Sequence, residues 1–162
     1  MKITLEQLQE FGLAYSNVGI LKQLVYVINT YGDSVYLNTI NRISHFLGQT
    51  AVESGYYSVL EENLNYSAKR LVAVWPNWFK SIATTTPYAN NPEKLGNYIY
   101  GSTTIAKSLG NKKPSDGYKY KGRGIKQLTG LANHVAFNTW IHKQLPDAPD
   151  SVKNPEKLKE TD

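Results

Sequence analysis

Residues 45–68 read HFLGQTAVESGYYSVLEENLNYSA, and the fold of the chain is decided around this stretch. Its first part repeats apolar residues at the spacing of a helix that buries one face. Gly55 interrupts the pattern, because glycine readily takes the left-handed conformation that ends many helices. A polar, asparagine-rich segment follows. The stretch therefore predicts a helix, a break at Gly55 and then an irregular loop.

Two acidic residues lie on either side of this break. Seven steps of about 100° bring Glu53 to within about 20° of Phe46, near the apolar stripe and at the C-terminal end of the helix. Partial burial and the negative end of a helix both favour a protonated carboxyl. Glu62 lies nine residues later in the polar loop. One protonated and one ionised carboxyl are what acid–base hydrolysis of a glycosidic bond requires.

Each acid also has a purely structural interpretation. Glu53 fits equally well at the edge of the stripe with its carboxyl in water, and Glu61 and Glu62 fit a solvated pair on a loop. In an unbroken helix Glu62 would face away from Glu53, so joint action requires the break at Gly55.

The composition is that of one globular domain spanning residues 1–162. The chain has 41% hydrophobic residues, no cysteine and three scattered histidines. Disulfides and thiolate metal ligands are excluded, and we expect neither a metal site nor another cofactor. The net charge of +5 comes from 18 basic and 13 acidic residues and is compatible with an anionic polymer, whereas no recognisable nucleic-acid module is present. Twelve tyrosines and three tryptophans are compatible with carbohydrate binding.

Helix signals recur along the chain and predict a mainly α fold with long loops at residues 56–66 and 101–129. Alternation in residues 117–121 is compatible with a short strand or an ordered loop. In the last long helix, over about residues 131–145, we expect Val135, Ala136, Trp140 and Ile141 inside. The predicted helices begin near Thr4, Ser16, Ser34, Ser67, Asn91 and Leu131.

A third polar segment, residues 116–130, reads DGYKYKGRGIKQLTG. Gln127 and Thr129 supply an amide and a hydroxyl just before a helix, which suits a bound water or an N-acetyl group. Thr129 is an equally good helix cap. Arg123 lies between two glycines, where a backbone can approach closely, but the spacing is not that of a phosphate-binding loop.

These three segments, in this order, resemble the family 19 glycoside hydrolases, the chitinase class, and within it the phage endolysins. Residues 88–90 and 97–101, which read YAN and NYIYG, resemble further family motifs. The likeness spans roughly residues 40–158 and implies a lysozyme-like, two-lobed helical domain with a cleft. Relative to family members we expect the C-terminal part to be incomplete.

The resemblance also implies roles for individual residues. Glu53 matches the general acid, and Glu62, directly before Asn-Leu-Asn-Tyr, matches the general base of an inverting mechanism. Thr129 matches a serine that fixes the attacking water. Val52 stands where a histidine is common, which alters the packing beside the acid. The residues matched to substrate contacts are Gln127, Asn133, Tyr120 and Arg123.

We therefore expect a peptidoglycan-degrading, muramidase-type glycosidase acting on the β-1,4 bond between N-acetylmuramic acid and N-acetylglucosamine. Two alternatives remain: a chitinase, and an inactive remnant that binds the cell wall. An inverting pair predicts carboxyl groups about 6.5–9.5 Å apart.

The glycan strands of peptidoglycan are the expected partner of a monomeric protein. No apolar run follows the N-terminal lysine, and no stretch has the length of a membrane span. We expect no stable membrane insertion, a location in the host cytoplasm before release, and exit through a holin-made pore to the periplasm and cell wall.

Overall fold

The computed structural model describes residues 2–13 and 17–160, and these residues are mainly helical, as predicted. Within these ranges, β structure is limited to two isolated antiparallel bridges, one between Glu61 and Arg123 and one between Arg123 and Leu128. The α-helices are α1 (Leu5–Leu8), α2 (Val18–Tyr31), α3 (Ile40–Glu53), α4 (Ala68–Val74), α5 (Ile82–Thr85), α6 (Pro92–Ile99), α7 (Thr104–Ser108), α8 (Asp116–Lys119) and α9 (Leu131–Gln144).

The described residues fall into two compact units. The first unit comprises the described residues up to 60 together with residues 124–127 and 159–160, and the second comprises residues 61–123 and 128–158. None of the helices in the described ranges combines the length and the apolar character that crossing a bilayer requires.

The first unit is built on capped helices. The side chains of Thr4, Asn17 and Thr39 accept hydrogen bonds at the starts of α1, α2 and α3, which satisfies amides that have no partner within the helix. The start of α2 predicted near Ser16 lies outside the described residues. α3 begins later than Ser34, because a 3-10 turn occupies Gly32–Val35. The buried core residues are Ile3, Leu8, Leu13, Ile20, Leu21, Leu24, Ile28, Ile43, Leu47, Ala51 and Tyr57.

The second unit has an aromatic core. Around the buried side chain of Phe79, the rings of Tyr88 and Tyr98 lie with centroids 5.4 and 5.6 Å away, and these two rings stack on each other at 4.6 Å. Much of the tyrosine and tryptophan content therefore serves packing. The other aromatic residues packed on this core are Tyr66, Trp75, Trp78, Tyr100 and Tyr118.

The region predicted as a long loop at 101–129 contains α7 and α8, so this part of the prediction is wrong. Residues 116–119 form a helix, where a short strand or an ordered loop was expected. α8 packs closely on α6: a side chain at Gly117 would collide with the Gly96 carbonyl. This close approach of two backbones was not visible in the alternating pattern. The loop at residues 56–66 is free of helix, as predicted.

The buried face of α9 also differs from the prediction. Val135 and Trp140 are each 46% exposed, and His134 is the buried residue of the helix. Asn138, one turn later, accepts a hydrogen bond from the Ser151 amide at 2.9 Å. The inner face of α9 is therefore polar, and hydrophobicity alone selected the wrong side.

His134 is a buried titratable residue of the second unit. Its side chain is fully buried, its Nδ1 lies 3.0 Å from the Ser151 carbonyl oxygen, and Nε2 has no partner among the described residues. Because a carbonyl only accepts, Nδ1 carries the proton and donates it. Burial lowers the pKa of His134; the hydrogen bond to the Ser151 carbonyl opposes this effect, and the positive charges of Arg123 and Lys119 add to it, so that the pKa is lowered overall.

We predict that the free energy of unfolding falls as the pH drops below about 6.5, the ordinary pKa of histidine. In that range the unfolded chain binds a proton at His134 that the folded chain does not. Urea denaturation between pH 5 and 7 should show a smaller slope for His134→Gln than for the unmodified chain. As a second measurement, the imidazole NMR signals of His134 in the folded protein should titrate below pH 6.5, and titration at or above that value would contradict the prediction.

Candidate active site

α3 ends at Glu53 in a Schellman motif. The Tyr56 amide donates to the Ala51 carbonyl at 2.6 Å, and the Gly55 amide donates to the Val52 carbonyl at 3.4 Å. Gly55 has a φ of 54°, as the motif requires. The break predicted at Gly55 is confirmed, and it ends the helix directly after the acidic residue.

Left-handed backbone continues beyond Gly55 through two tyrosines. φ is 57° at Tyr56 and 62° at Tyr57, a conformation that costs roughly 1–2 kcal/mol for a residue with a side chain. Tyr57 is fully buried, and its hydroxyl donates to the Leu47 carbonyl at 2.9 Å and lies 2.7 Å from the Thr50 hydroxyl. Burial raises the pKa of Tyr57, so the phenol remains a donor. These contacts hold the turn against α3.

Glu53 itself is exposed, so the expectation of partial burial is wrong. Phe46, the reference for that expectation, is only partly buried. Glu53 lies about 60° around the helix from Thr50 and about 120° from Leu47. It is therefore a glutamate at the edge of the stripe with its carboxyl in water. The buried residues of α3 are Ile43, Leu47, Thr50 and Ala51.

Glu62 is half-buried in the second unit and is held by its backbone and by both carboxyl oxygens. Its amide donates to the Gly122 carbonyl at 2.9 Å. Its Oε1 accepts from the Tyr100 hydroxyl at 2.6 Å, and its Oε2 accepts from the Gly122 amide at 3.3 Å. Donors on both oxygens fix the orientation of the carboxylate, which a positioned catalytic group requires.

Tyr100 is a residue of this site that the sequence analysis did not assign. Burial raises the pKa of Tyr100 strongly, and the negative charge of Glu62 and the hydrogen bond to it raise it further. The phenol therefore keeps its proton and is the donor in this contact. Its position in the segment NYIYG, already noted for the resemblance, was the available signal.

The two β-bridges place Glu62 and Thr129 on either side of Gly122. Arg123 and Leu128 exchange both backbone hydrogen bonds, at 3.3 and 2.8 Å. In this antiparallel register Gly122 pairs with Glu62 on one side and stands opposite Thr129 on the other. Residues directly opposite each other point to the same face of such a ladder. Gly122 has no side chain to separate the other two.

Glu61 faces a different set of groups from its neighbour. Its Oε1 lies 3.1 Å from Lys121 Nζ and 3.1 Å from Arg123 Nε, and both cationic side chains are 8% exposed. Lys121 Nζ also lies 4.0 Å from the centre of the Tyr118 ring. Glu61 thus neutralises buried positive charge. The structure separates the two adjacent acids by their partners.

Tyr120 and Arg123, predicted to bind substrate, have structural partners. Tyr120 is 4% exposed, and its hydroxyl donates to the Val152 carbonyl at 3.0 Å. Arg123 is 7% exposed, and its Nη1 donates to the Lys119 carbonyl at 2.7 Å. Both side chains hold the second unit together, and a substrate contact by either stays a prediction.

The other three predicted site residues are at least partly exposed: Gln127 and Thr129 are half-buried, and Asn133 is exposed. Gln127 has a φ of 50°, and its Nε2 donates to the Val59 and Gly124 carbonyls at 3.2 and 3.1 Å. Exposed Asn133 donates to the Thr129 carbonyl at 2.8 Å. Gly130 occupies the cap position of α9, so Thr129 is not the helix cap considered as its alternative role.

The described part of the chain offers no metal centre, because none of its histidines, aspartates and glutamates form a group of three or more that could hold an ion. The carboxyl groups of Glu53 and Glu62 can each transfer a proton, and the hydroxyl of Thr129 can bind water.

We predict that Glu61→Gln lowers the free energy of unfolding by about 2 kcal/mol, because it leaves two largely buried cations without a counter-charge. The partial exposure of Glu61, 28% of its side chain, keeps the effect below that of a fully buried pair. Urea denaturation measures it. Glu156→Gln, at an exposed position, is the matched control, and equal stability of the two variants would contradict the prediction.

Comparison with known proteins bears on the same chemistry. No family model matches the chain. The chain is 39% identical over 102 residues to a glycosyl hydrolase family 19 domain-containing protein of Haemophilus influenzae (strain ATCC 51907 / DSM 11121 / KW20 / Rd), covering 62% of this chain and 48% of the relative. The chain thus spans about half the length of the relative it matches. The similarity agrees with the family 19 resemblance and supports a glycoside hydrolase.

Proposed function

We propose that this chain is a glycoside hydrolase that cleaves peptidoglycan at the β-1,4 bond between N-acetylmuramic acid and N-acetylglucosamine, with inversion at the anomeric carbon. The observation that carries the proposal is the oriented carboxylate of Glu62, with a donor on each oxygen and Thr129 across Gly122. The similarity to a family 19 domain-containing protein supports the same class of reaction.

In the proposed reaction Glu53 and Glu62 have opposite tasks. Glu53 gives its proton to the glycosidic oxygen as the bond from that oxygen to the anomeric carbon breaks. Glu62 takes a proton from a water molecule, whose oxygen forms the new bond to that carbon from the opposite face. The products are two shorter glycans, one with a new reducing end. Exchange with solvent returns the proton to Glu53 and removes it from Glu62.

The surroundings of the two acids suit these tasks. Glu53 is the last residue of α3 and is exposed, so its carboxyl is accessible to a bound glycan. Glu62 accepts hydrogen bonds on both oxygens, which leaves a carboxylate held in one orientation. The Thr129 hydroxyl is proposed to hold the water, and Tyr100 is a positioning residue that acts through Glu62.

The substrate and the place of action belong to the proposal as well. Peptidoglycan and chitin share β-1,4-linked N-acetylglucosamine, so both polymers are tested. We place the reaction at the bacterial cell wall, as for the phage endolysins that the sequence resembles, with release from the host cytoplasm through a holin-made pore.

We predict that Glu53→Gln and Glu62→Gln each lower the rate of wall hydrolysis at least about 100-fold, because each removes a proton-transfer group. Loss of turbidity of purified peptidoglycan and release of reducing ends measure the rate, and Glu156→Gln is the control. Wild-type-like turnover by Glu53→Gln, with an intact fold, would rule out its role as the acid.

Muropeptide analysis of the same digests separates the substrates and products. New reducing ends on N-acetylmuramic acid support a muramidase. Release from soluble chitin oligomers with no action on peptidoglycan would favour a chitinase, and binding to the wall without any new reducing end would favour an inactive wall-binding protein.

We predict that Tyr100→Phe lowers kcat about tenfold with little change in KM, since one neutral-to-charged hydrogen bond is worth about 1.5 kcal/mol or more. The variant keeps the ring in the core and removes the donor to Glu62. Tyr98→Phe changes a tyrosine of α6 whose ring stacks on Tyr88 and serves as the control. An unchanged kcat for Tyr100→Phe would show that the contact does not orient the base.

A further inference from the structure

Tyr56 combines an unfavourable backbone with an exposed side chain. Its φ of 57° lies in the region that favours glycine, and the residue is 62% exposed. Tyr57 has the same backbone conformation, but its ring fills the core of the first unit and its hydroxyl bonds to α3. Burial accounts for Tyr57 and does not account for Tyr56.

Tyr56 lies close to the candidate acid along the chain. Tyr56 is three positions after Glu53, so the two Cα atoms are at most about 11 Å apart. The hydrogen bond from the Tyr56 amide to the Ala51 carbonyl, at 2.6 Å, folds this segment back onto the end of α3. Strained positions held by well-formed surroundings are concentrated at functional sites.

Two further exposed apolar residues lie near Glu53 along the chain. Val52, directly before Glu53, is 72% exposed, and Val59 is 47% exposed. The Val59 side chain lies next to Gly55, since a Cβ placed on Gly55 would be 3.6 Å from Val59 Cγ2. Val52, Tyr56 and Val59 are thus three exposed apolar or aromatic residues in the short segment that carries Glu53.

We propose that Tyr56 is a saccharide-binding residue, whose ring stacks on an N-acetylglucosamine unit of the glycan next to Glu53. This inference rests on the proposed function. A pyranose ring presents its C–H groups on its faces and its hydroxyls at its rim, so an aromatic ring covers the face while the polar rim stays in water. Val52 and Val59 extend the apolar contact.

The test measures binding without turnover. Chitin tetrasaccharide is titrated by calorimetry into the Glu53→Gln protein, alone and combined with Tyr56→Ala, Tyr56→Phe or Tyr56→Gly. We expect Tyr56→Ala and Tyr56→Gly to weaken binding about fivefold to tenfold, the usual size of an aromatic contact. Tyr56→Phe should retain binding, because it retains the ring.

Tyr36 provides a matched control in the same unit. It is also left-handed, with a φ of 61°, and is 72% exposed, but it lies 17 residues before Glu53. Tyr36→Ala should leave the affinity unchanged. Equal affinity for Tyr56→Ala and the Glu53→Gln parent would overturn the proposal, as would equal losses for Tyr36→Ala and Tyr56→Ala.

Thermal unfolding separates a binding role from a structural one. Glycine relieves the unfavourable backbone at position 56, so Tyr56→Gly should melt at the same temperature as the parent or higher while it binds more weakly. A lower melting temperature with unchanged affinity would make Tyr56 a structural residue and overturn the inference. Absence of tetrasaccharide and peptidoglycan binding by the Glu53→Gln parent would instead count against the proposed function itself.

Discussion

The antiparallel contact between residues 61–62 and 122–123 is the constraint on which the second unit's candidate site depends. It pairs the backbone of Glu62 with Gly122 and that of Arg123 with Leu128. Without this contact the carboxyl of Glu62 would have neither the Gly122 amide nor a fixed distance to Tyr100. It is made of a few backbone groups and has no regular strand around it, so its stability comes from the side chains packed beside it.

Glu61 supplies much of that support. Successive residues of an extended segment point to opposite faces, so one of two adjacent acids binds the buried cations while the other is presented on the far side. Glu61 thus neutralises the buried cations, and its neighbour Glu62 holds the oriented carboxylate. A buried guanidinium whose donors are occupied by Glu61 and by the Lys119 carbonyl also fixes the segment that carries Gly122.

Much of the helical framework could be predicted from the sequence, because helix caps are local signals. Asn91 before Pro92 starts α6, Ser67 starts α4 and Gly55 follows the end of α3, as expected. The pentapeptide NPEKL, which starts α6 at residues 91–95, occurs again at residues 154–158. There it gives only a 3-10 turn, Pro155–Lys159, since packing decides whether such a start signal is followed by a longer helix.

Features that depend on distant partners could not be predicted. The partners that distinguish Glu61 from Glu62 lie about 40 to 60 residues away in the chain. The inner face of α9 is polar because His134 and Asn138 bind the Ser151 backbone. Glu53 is exposed because the buried face of α3 is formed by Leu47, Thr50 and Ala51 rather than by Phe46. The sequence argument used Phe46 as its reference and therefore placed the buried face too close to Glu53.

The anchoring of Tyr57 has a consequence for how this chain can vary in length. The hydroxyl of Tyr57 reaches back to Leu47 and Thr50, so the number of residues between Glu53 and Tyr57 is set by the geometry of one closed loop. An insertion or deletion there would remove the Tyr57 ring from the core of the first unit or unwind the last turn of α3. Homologues should therefore differ in length elsewhere, and a graft of this acid into another scaffold must carry residues 47–57 as one piece.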